Sequence, residues 1–162
     1  MIELTQGKVA IVDDDDFKRF GHLNWHYSHG RAVRRHGPWT REKGGHKGSL
    51  WLHREIMGNP EGLLVDHING NPLDNRKKNL RLCLQSQNMA NARKQSRNTS
   101  SKFKGVSKES GKGFKNKWAA YITKNQKRYH LGHFATEKEA AAAYNEKAIE
   151  LHGDFAKLNI LS

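Results

Sequence analysis

With 162 residues, 35% of them hydrophobic, and a mean hydropathy of −0.91, the chain is too polar for one large buried core and allows two small units or one elongated domain. A formal net charge of +13 and a pI near 10.0 argue against an enzyme of small metabolites and for a polyanionic partner, nucleic acid above all. Cys83 is the lone cysteine, which excludes an intramolecular disulfide and a thiolate cage, so no structural zinc is expected.

Lys8 to Val12 reads as a short strand, and Asp13 to Asp16 precede Phe17, Phe20 and Leu23 at helical spacing. The aspartates are expected to cap that helix and complement its dipole, since four consecutive side chains cannot converge on one ion. Arg31 to Arg35 and Leu50 to Ile56 read as strand or strand-to-helix segments. The Gly- and Pro-punctuated loop between them, residues 36–49, suits an arm facing a polyanion. An apolar strand, a polar loop containing Asn69-Gly70 and a second apolar strand ending near Cys83 follow, and together they predict a hairpin with a long tip. Cys83 itself fits a small buried strand residue better than a reactive nucleophile. Gln85 to about Gln95 has helical composition.

Ser96 to Lys102 is polar and aperiodic, so a linker is expected at 96–101, between a domain over 1–95 and another over 102–162. Three strand-like runs follow, carried by KGVSKES, KWAAYITK and KRYHLGHF, and then a helix from Thr136 to about His152. Thr136 and Glu139 form a capping box, alanines 140–143 allow close packing, and Gly153 stops the helix. Positive charge is concentrated here: Asn91 to Arg128 holds twelve Lys and Arg against a single acid, Glu109. Glycines and serines break this segment, which does not suit a membrane-surface helix. No run approaches the roughly 20 apolar residues of a membrane span. The opening lacks a basic, apolar leader pattern, so a cytoplasmic location is expected.

Asp66 and His67 are strand neighbours, so their side chains diverge and take different roles. A carboxylate is a hard donor suited to Mg²⁺ or Mn²⁺, while an imidazole can take a proton from water near neutral pH. Asn88, on the following helix, can offer an amide oxygen as a second ligand. This set suits metal-assisted hydrolysis of a phosphodiester. Taken alone, the Asp-His pair beside an Asn-Gly turn reads rather as a turn-capping Asp next to a surface His.

The run VDHINGNPLDNRKKNLRL followed by Asn88 resembles the HNH endonuclease family, in particular its phage and intron-associated homing branch, over about Trp51 to Asn91. The resemblance implies a ββα-metal core over 51–95 within an α+β fold, preceded by an N-terminal α/β extension. It implies Asp66 and Asn88 as metal ligands and His67 as general base, with Asn79 orienting His67 or bracing the hairpin. Asn75 is expected to shape the loop, and His53 to support the site or touch DNA, with a plain packing role standing equally beside these.

Lys102 to Asn159 resembles the Apetala-two/ethylene-response-factor DNA-binding domain through KGV, KWAAYI, KRYHLGHF, TEKEAAAAYN and LHGDFAKLN. That implies a three-stranded antiparallel sheet backed by one helix and docked in the major groove of double-stranded DNA. Basic and aromatic residues interleave along these strands. Arg93, Lys94, Lys104, Lys108, Lys115, Lys117, Trp118, Lys127, Arg128 and Tyr129 are the expected DNA contacts, with Trp118 equally able to serve the core. The chain departs from plant members at Ser107, Lys108, Glu109 and His130, so base preference does not transfer. The expected activity is metal-dependent DNA cleavage by a monomer. Its rivals are an inactive DNA-binding regulator and a basic RNA-associated protein.

Overall fold

The computed structural model describes residues 1–35, 48–94, 100–109 and 117–162. The expected DNA-facing arm, Lys115 and most of the expected linker fall outside them. Helices and short antiparallel sheets mix throughout, an α+β architecture, and the chain divides into two compact units, Met1–Leu84 and Gln85–Ser162. Among the described residues no helix is long and apolar enough to cross a membrane.

In the first unit, β1 (Ile2–Glu3) pairs with β2 (Val9–Ala10), and α1 (Asp14–Phe20) follows. Next come β3 (His26–Ser28), β4 (Arg31–Arg35) and β5 (Ser49–Trp51), an antiparallel sheet with β4 in the middle. α2 (Leu52–Ile56) leaves β5 directly, and β6 (Leu64–His67) and β7 (Leu80–Cys83) form the expected hairpin. Alternate apolar positions, among them Ile2, Ala10, Trp25, Leu52, Val65 and Leu80, converge in one core that fixes the hairpin's base.

The acidic run corrects one expectation. Asp13 is the N-cap residue of α1, yet its side chain makes no capping bond: Oδ2 accepts from the Lys77 amide at 2.8 Å. Asp16 is fully buried, 3.0 Å from Arg19 Nη1 and 3.4 Å from Lys77 Nζ. The run therefore clips the hairpin's long tip, while Asp14 and Asp15 remain to complement the helix dipole. Ile11 completes the clip through its backbone: its amide donates to Leu73 O at 2.8 Å and its carbonyl accepts from Asn75 N at 2.7 Å.

In the second unit, α3 (Gln85–Asn91) precedes β8 (Val106–Lys108), β9 (Trp118–Lys124) and β10 (Lys127–Phe134), an antiparallel sheet in the order β10-β9-β8. α4 (Glu137–His152) covers one face and opens on a capping box in which the Thr136 side chain accepts from Glu139 N. Ala120, Ala140 and Ala141 are fully buried, so helix and sheet approach closely around Phe103 and Val106, with Tyr144 and Ile122 filling the far end. Gly105 sits at φ +75°, where an added Cβ would collide with the Tyr144 ring and lie 2.5 Å from Tyr121 O. Gly105→Ala is expected to cost about 2–5 kcal/mol, overpacking added to left-handed strain, read by denaturant unfolding. A loss under about 1 kcal/mol would show that the ring can move aside.

α3 belongs with the second unit, upstream of the expected linker, because two lysines tie its C-terminal end there. Lys104 Nζ donates to Ala90 O at 2.6 Å and Ala92 O at 2.7 Å, and Lys94 Nζ to Ser101 O at 2.6 Å and Phe103 O at 2.8 Å. These two expected DNA contacts thus hold their ammonium groups on backbone carbonyls. Burial, helped by Lys157, lowers the Lys104 pKa to about 8, and burial also pushes Tyr144 up to about 12. Between about pH 8 and the ordinary lysine value near 10.4, the unfolded chain binds more protons at Lys104 than the folded one, so stability should rise. Above about pH 10 the sign reverses, since folded Tyr144 keeps a proton that the unfolded chain releases. Thermal unfolding against pH should peak near pH 9–10, and Lys104→Met should remove the rising limb. A parent curve falling steadily from pH 8 would contradict this.

Candidate active site

The hairpin register sets the site. Asp66 pairs with Arg81 and His67 with Leu80, so the two side chains leave the strand on opposite faces. Asp66 Oδ2 accepts from Arg81 Nε at 3.0 Å and Nη2 at 2.8 Å, and both partners are largely buried. His67 turns toward Asn75 and His53: Nε2 is 3.2 Å from Asn75 Oδ1, and the two imidazole centroids are 5.1 Å apart. With Nε2 donating to the amide oxygen, Nδ1 of a neutral ring carries the lone pair.

Burial is the largest influence on His67 and lowers its pKa; the Asn75 bond, Asp66 and Asp74 oppose that shift and Arg31 reinforces it. The ring is thus held in the neutral form a general base needs. His53, on α2, drops to about 3, through burial first and then the nearby His67, Arg31 and Arg54. Its Nδ1 finds no hydrogen-bond partner among the described residues. His53 therefore packs as a neutral ring against His67 and, at 6.2 Å, against Trp51.

Asn79 lies in the short 3-10 turn before β7 and braces the hairpin tip. Its Nδ2 donates to Asp74 O at 2.7 Å and Asn69 Oδ1 at 3.1 Å, while its Oδ1 accepts from Asn69 N at 3.0 Å. Asp74 is tied in turn to Asn69 and to the Arg76 guanidinium, whose hydrogen bonds hold its carboxyl below the usual range. The partner seen on the His67 ring is Asn75, expected only to shape the loop; it is both a loop residue and the ring's hydrogen-bond acceptor. Sequence reasoning passed over Arg81, although pairing across an antiparallel hairpin could have placed it opposite Asp66.

Asp66 offers the hard oxygen that Mg²⁺ or Mn²⁺ prefers, with Arg81 as its present counter-ion. Among the described residues no group of three or more His, Cys, Asp or Glu gathers at metal-holding distance. Asn88 lies on α3, in the second unit. The donor chemistry fits a cation taking few protein ligands, completed by phosphate and water.

On the second unit, register separates the expected DNA contacts. Lys108 pairs with Trp118, Tyr129 with Ile122 and Lys127 with Lys124, and these positions share the face of Ala120 and Ile122, against which α4 packs. Trp118 is packed on that core. The open face carries Arg128, an expected contact, and Tyr121, one of the interleaved aromatics, together with His130 and His133. The Arg128 guanidinium lies 3.7 Å from the Tyr121 centroid, Tyr121 5.0 Å from His130, and His130 4.6 Å from His133. Sequence periodicity hides His133, three residues from His130, because an irregularity between His130 and Gly132 returns it to the same face. Lys117 is exposed just before β9 and Arg93 just after α3.

Residues 57–90 match the family model described as HNH endonuclease, and they contain the hairpin, Asp66, His67, Asn75, Asn79 and Asn88. An uncharacterized HNH endonuclease of Acanthamoeba polyphaga mimivirus is 39% identical over 118 residues, 69% of this chain and 58% of that protein. Protein 3.8 of Escherichia phage T7 is 34% identical over 98 residues, 60% of this chain and 77% of that protein. No solved structure matches. Residues 57–90 thus carry an HNH endonuclease domain. The chain spans 58% of the length of the mimivirus relative.

Proposed function

We propose that the chain cleaves double-stranded DNA as a monomer with the help of Mg²⁺ or Mn²⁺. The carrying observation is the buried His67 imidazole, neutral, set on Asn75 and next in the strand to Asp66, within the segment matching the family. His67 takes a proton from the attacking water on its lone-pair nitrogen, while Asn75 fixes the opposite ring nitrogen and Asn79 keeps the tip in shape. Asp66 and Asn88 would hold the cation, which supplies stabilisation of charge on the phosphate and leaving oxygen. Arg81, which now neutralises the Asp66 carboxylate, would share it with a bound cation.

The second unit places the enzyme on duplex through the open sheet face, where Arg128 and the Tyr121–His130–His133 stack suit phosphate and base edges, as the resemblance to the Apetala-two/ethylene-response-factor domain implies. One observation favours a rival, an inactive DNA-binding regulator: the Asp66 carboxylate is already neutralised by Arg81. Nicking of supercoiled plasmid in Mg²⁺ or Mn²⁺, abolished by EDTA, is the expected result. DNA binding with no nicking in either ion would select the regulator.

A further inference from the structure

A cavity of about 520 Å³ opens on the first unit between the segment after α1 and the end of β4, lined by His22, Leu23, Asn24, His26, Arg34 and Arg35. Four of these six side chains are basic or imidazole and none is acidic. Arg34 stacks its guanidinium 5.8 Å from the Trp25 ring, and its buried Nε–H meets no acceptor among the described residues. A concavity lined by two guanidinium and two imidazole side chains, with no carboxylate to oppose them, suits an anion. We infer that this cavity is a phosphate-binding site for the DNA backbone, with Arg34, Arg35, His22 and His26 as its ligands.

Placement favours a backbone phosphate over a free anion. The start of β4 faces the proposed catalytic residues: the Arg31 guanidinium lies 5.4 Å from the Trp51 ring, Trp51 6.2 Å from His53, and His53 5.1 Å from His67. At about 3.3 Å per strand residue, Arg35 stands roughly 13 Å from Arg31. That corresponds to about four base-pair rises of 3.4 Å, so one strand lying along β4 would meet both ends. The inference rests on the nuclease reading for its substrate. It adds a grip on the first unit, separate from the basic second unit.

The test uses the full chain in EDTA, so that binding is read without cleavage. Affinity for a short fluorescent duplex, followed across a salt series, should fall several-fold in Arg35→Ala, with the slope of log affinity against log salt reduced by about 0.9 for the lost phosphate contact. Arg34→Lys keeps the charge and the stem over Trp25 but loses the planar guanidinium fork, and it too should weaken binding. Lys18→Ala removes an exposed charge elsewhere on the unit and should leave the slope alone. A parental slope in Arg35→Ala, or an equal reduction in Lys18→Ala, overturns the site. Histidine NMR signals of His22 and His26 should move with duplex and stay put with inorganic phosphate at matched phosphate concentration. Equal movement with both would make it a free-anion site and overturn the backbone assignment. Grip through this cavity by a protein that never nicks would sink the nuclease reading and leave the site standing.

Discussion

Replacing His67 by alanine is expected to slow cleavage by about two to four orders of magnitude, the usual yield of a positioned general base, while leaving DNA affinity nearly unchanged. The asymmetry follows from burial: His67 is about 6% exposed and neutral, so it contributes little to phosphate grip, which comes from lysines and arginines elsewhere. Asn75→Ala should produce a smaller loss of turnover without changing affinity, because the ring survives but loses the acceptor that fixes its angle. Nicking rates paired with binding in EDTA provide the readout. Equal loss of binding and cutting in His67→Ala would make the residue structural.

Asp66→Ala is expected to abolish cleavage and also to destabilise the first unit by about 3–5 kcal/mol, since it takes the paired carboxylate away from the largely buried Arg81 guanidinium. The two effects can be separated. Replacing both partners, Asp66→Leu with Arg81→Met, removes the guanidinium charge together with its carboxylate, and stability should return most of the way while cleavage stays absent. Denaturant unfolding and plasmid nicking measured on the single and double variants decide the matter. A stable double variant that cuts at the parental rate would remove Asp66 from the chemistry.

The hairpin was legible because its pattern is local: Leu64–His67 and Leu80–Cys83 are short apolar runs around an Asn-Gly turn, and both strands form as expected. α4 was legible for the same reason, with its capping box and glycine stop written in adjacent residues. What escaped was long-range. Asp13 looks like a helix cap from its neighbours, and only the fold brings Lys77 to it across 64 residues. Lys94 and Lys104 look like phosphate contacts by charge alone, but their reach to backbone carbonyls depends on how the end of α3 lies beside Ser101–Lys104. The stack of His130 and His133 requires a register irregularity that no period-two reading contains.

The clip at Ile11 sets an order for biosynthesis. The loop presenting Asn75 to His67 is bonded to Ile11 on both sides, and those partners are separated by more than sixty residues of chain. At about 5–20 residues per second, a ribosome needs on the order of 3–13 s to deliver Asn75 after Ile11. During that interval the Ile11 backbone waits without Leu73 and Asn75, and the site cannot assemble. A fragment beginning after Ile11 would keep the whole hairpin in its sequence and still lose the backbone anchor that sets the loop. The site therefore cannot form until the loop has emerged to meet Ile11, and its shape depends on an anchor far upstream of the hairpin.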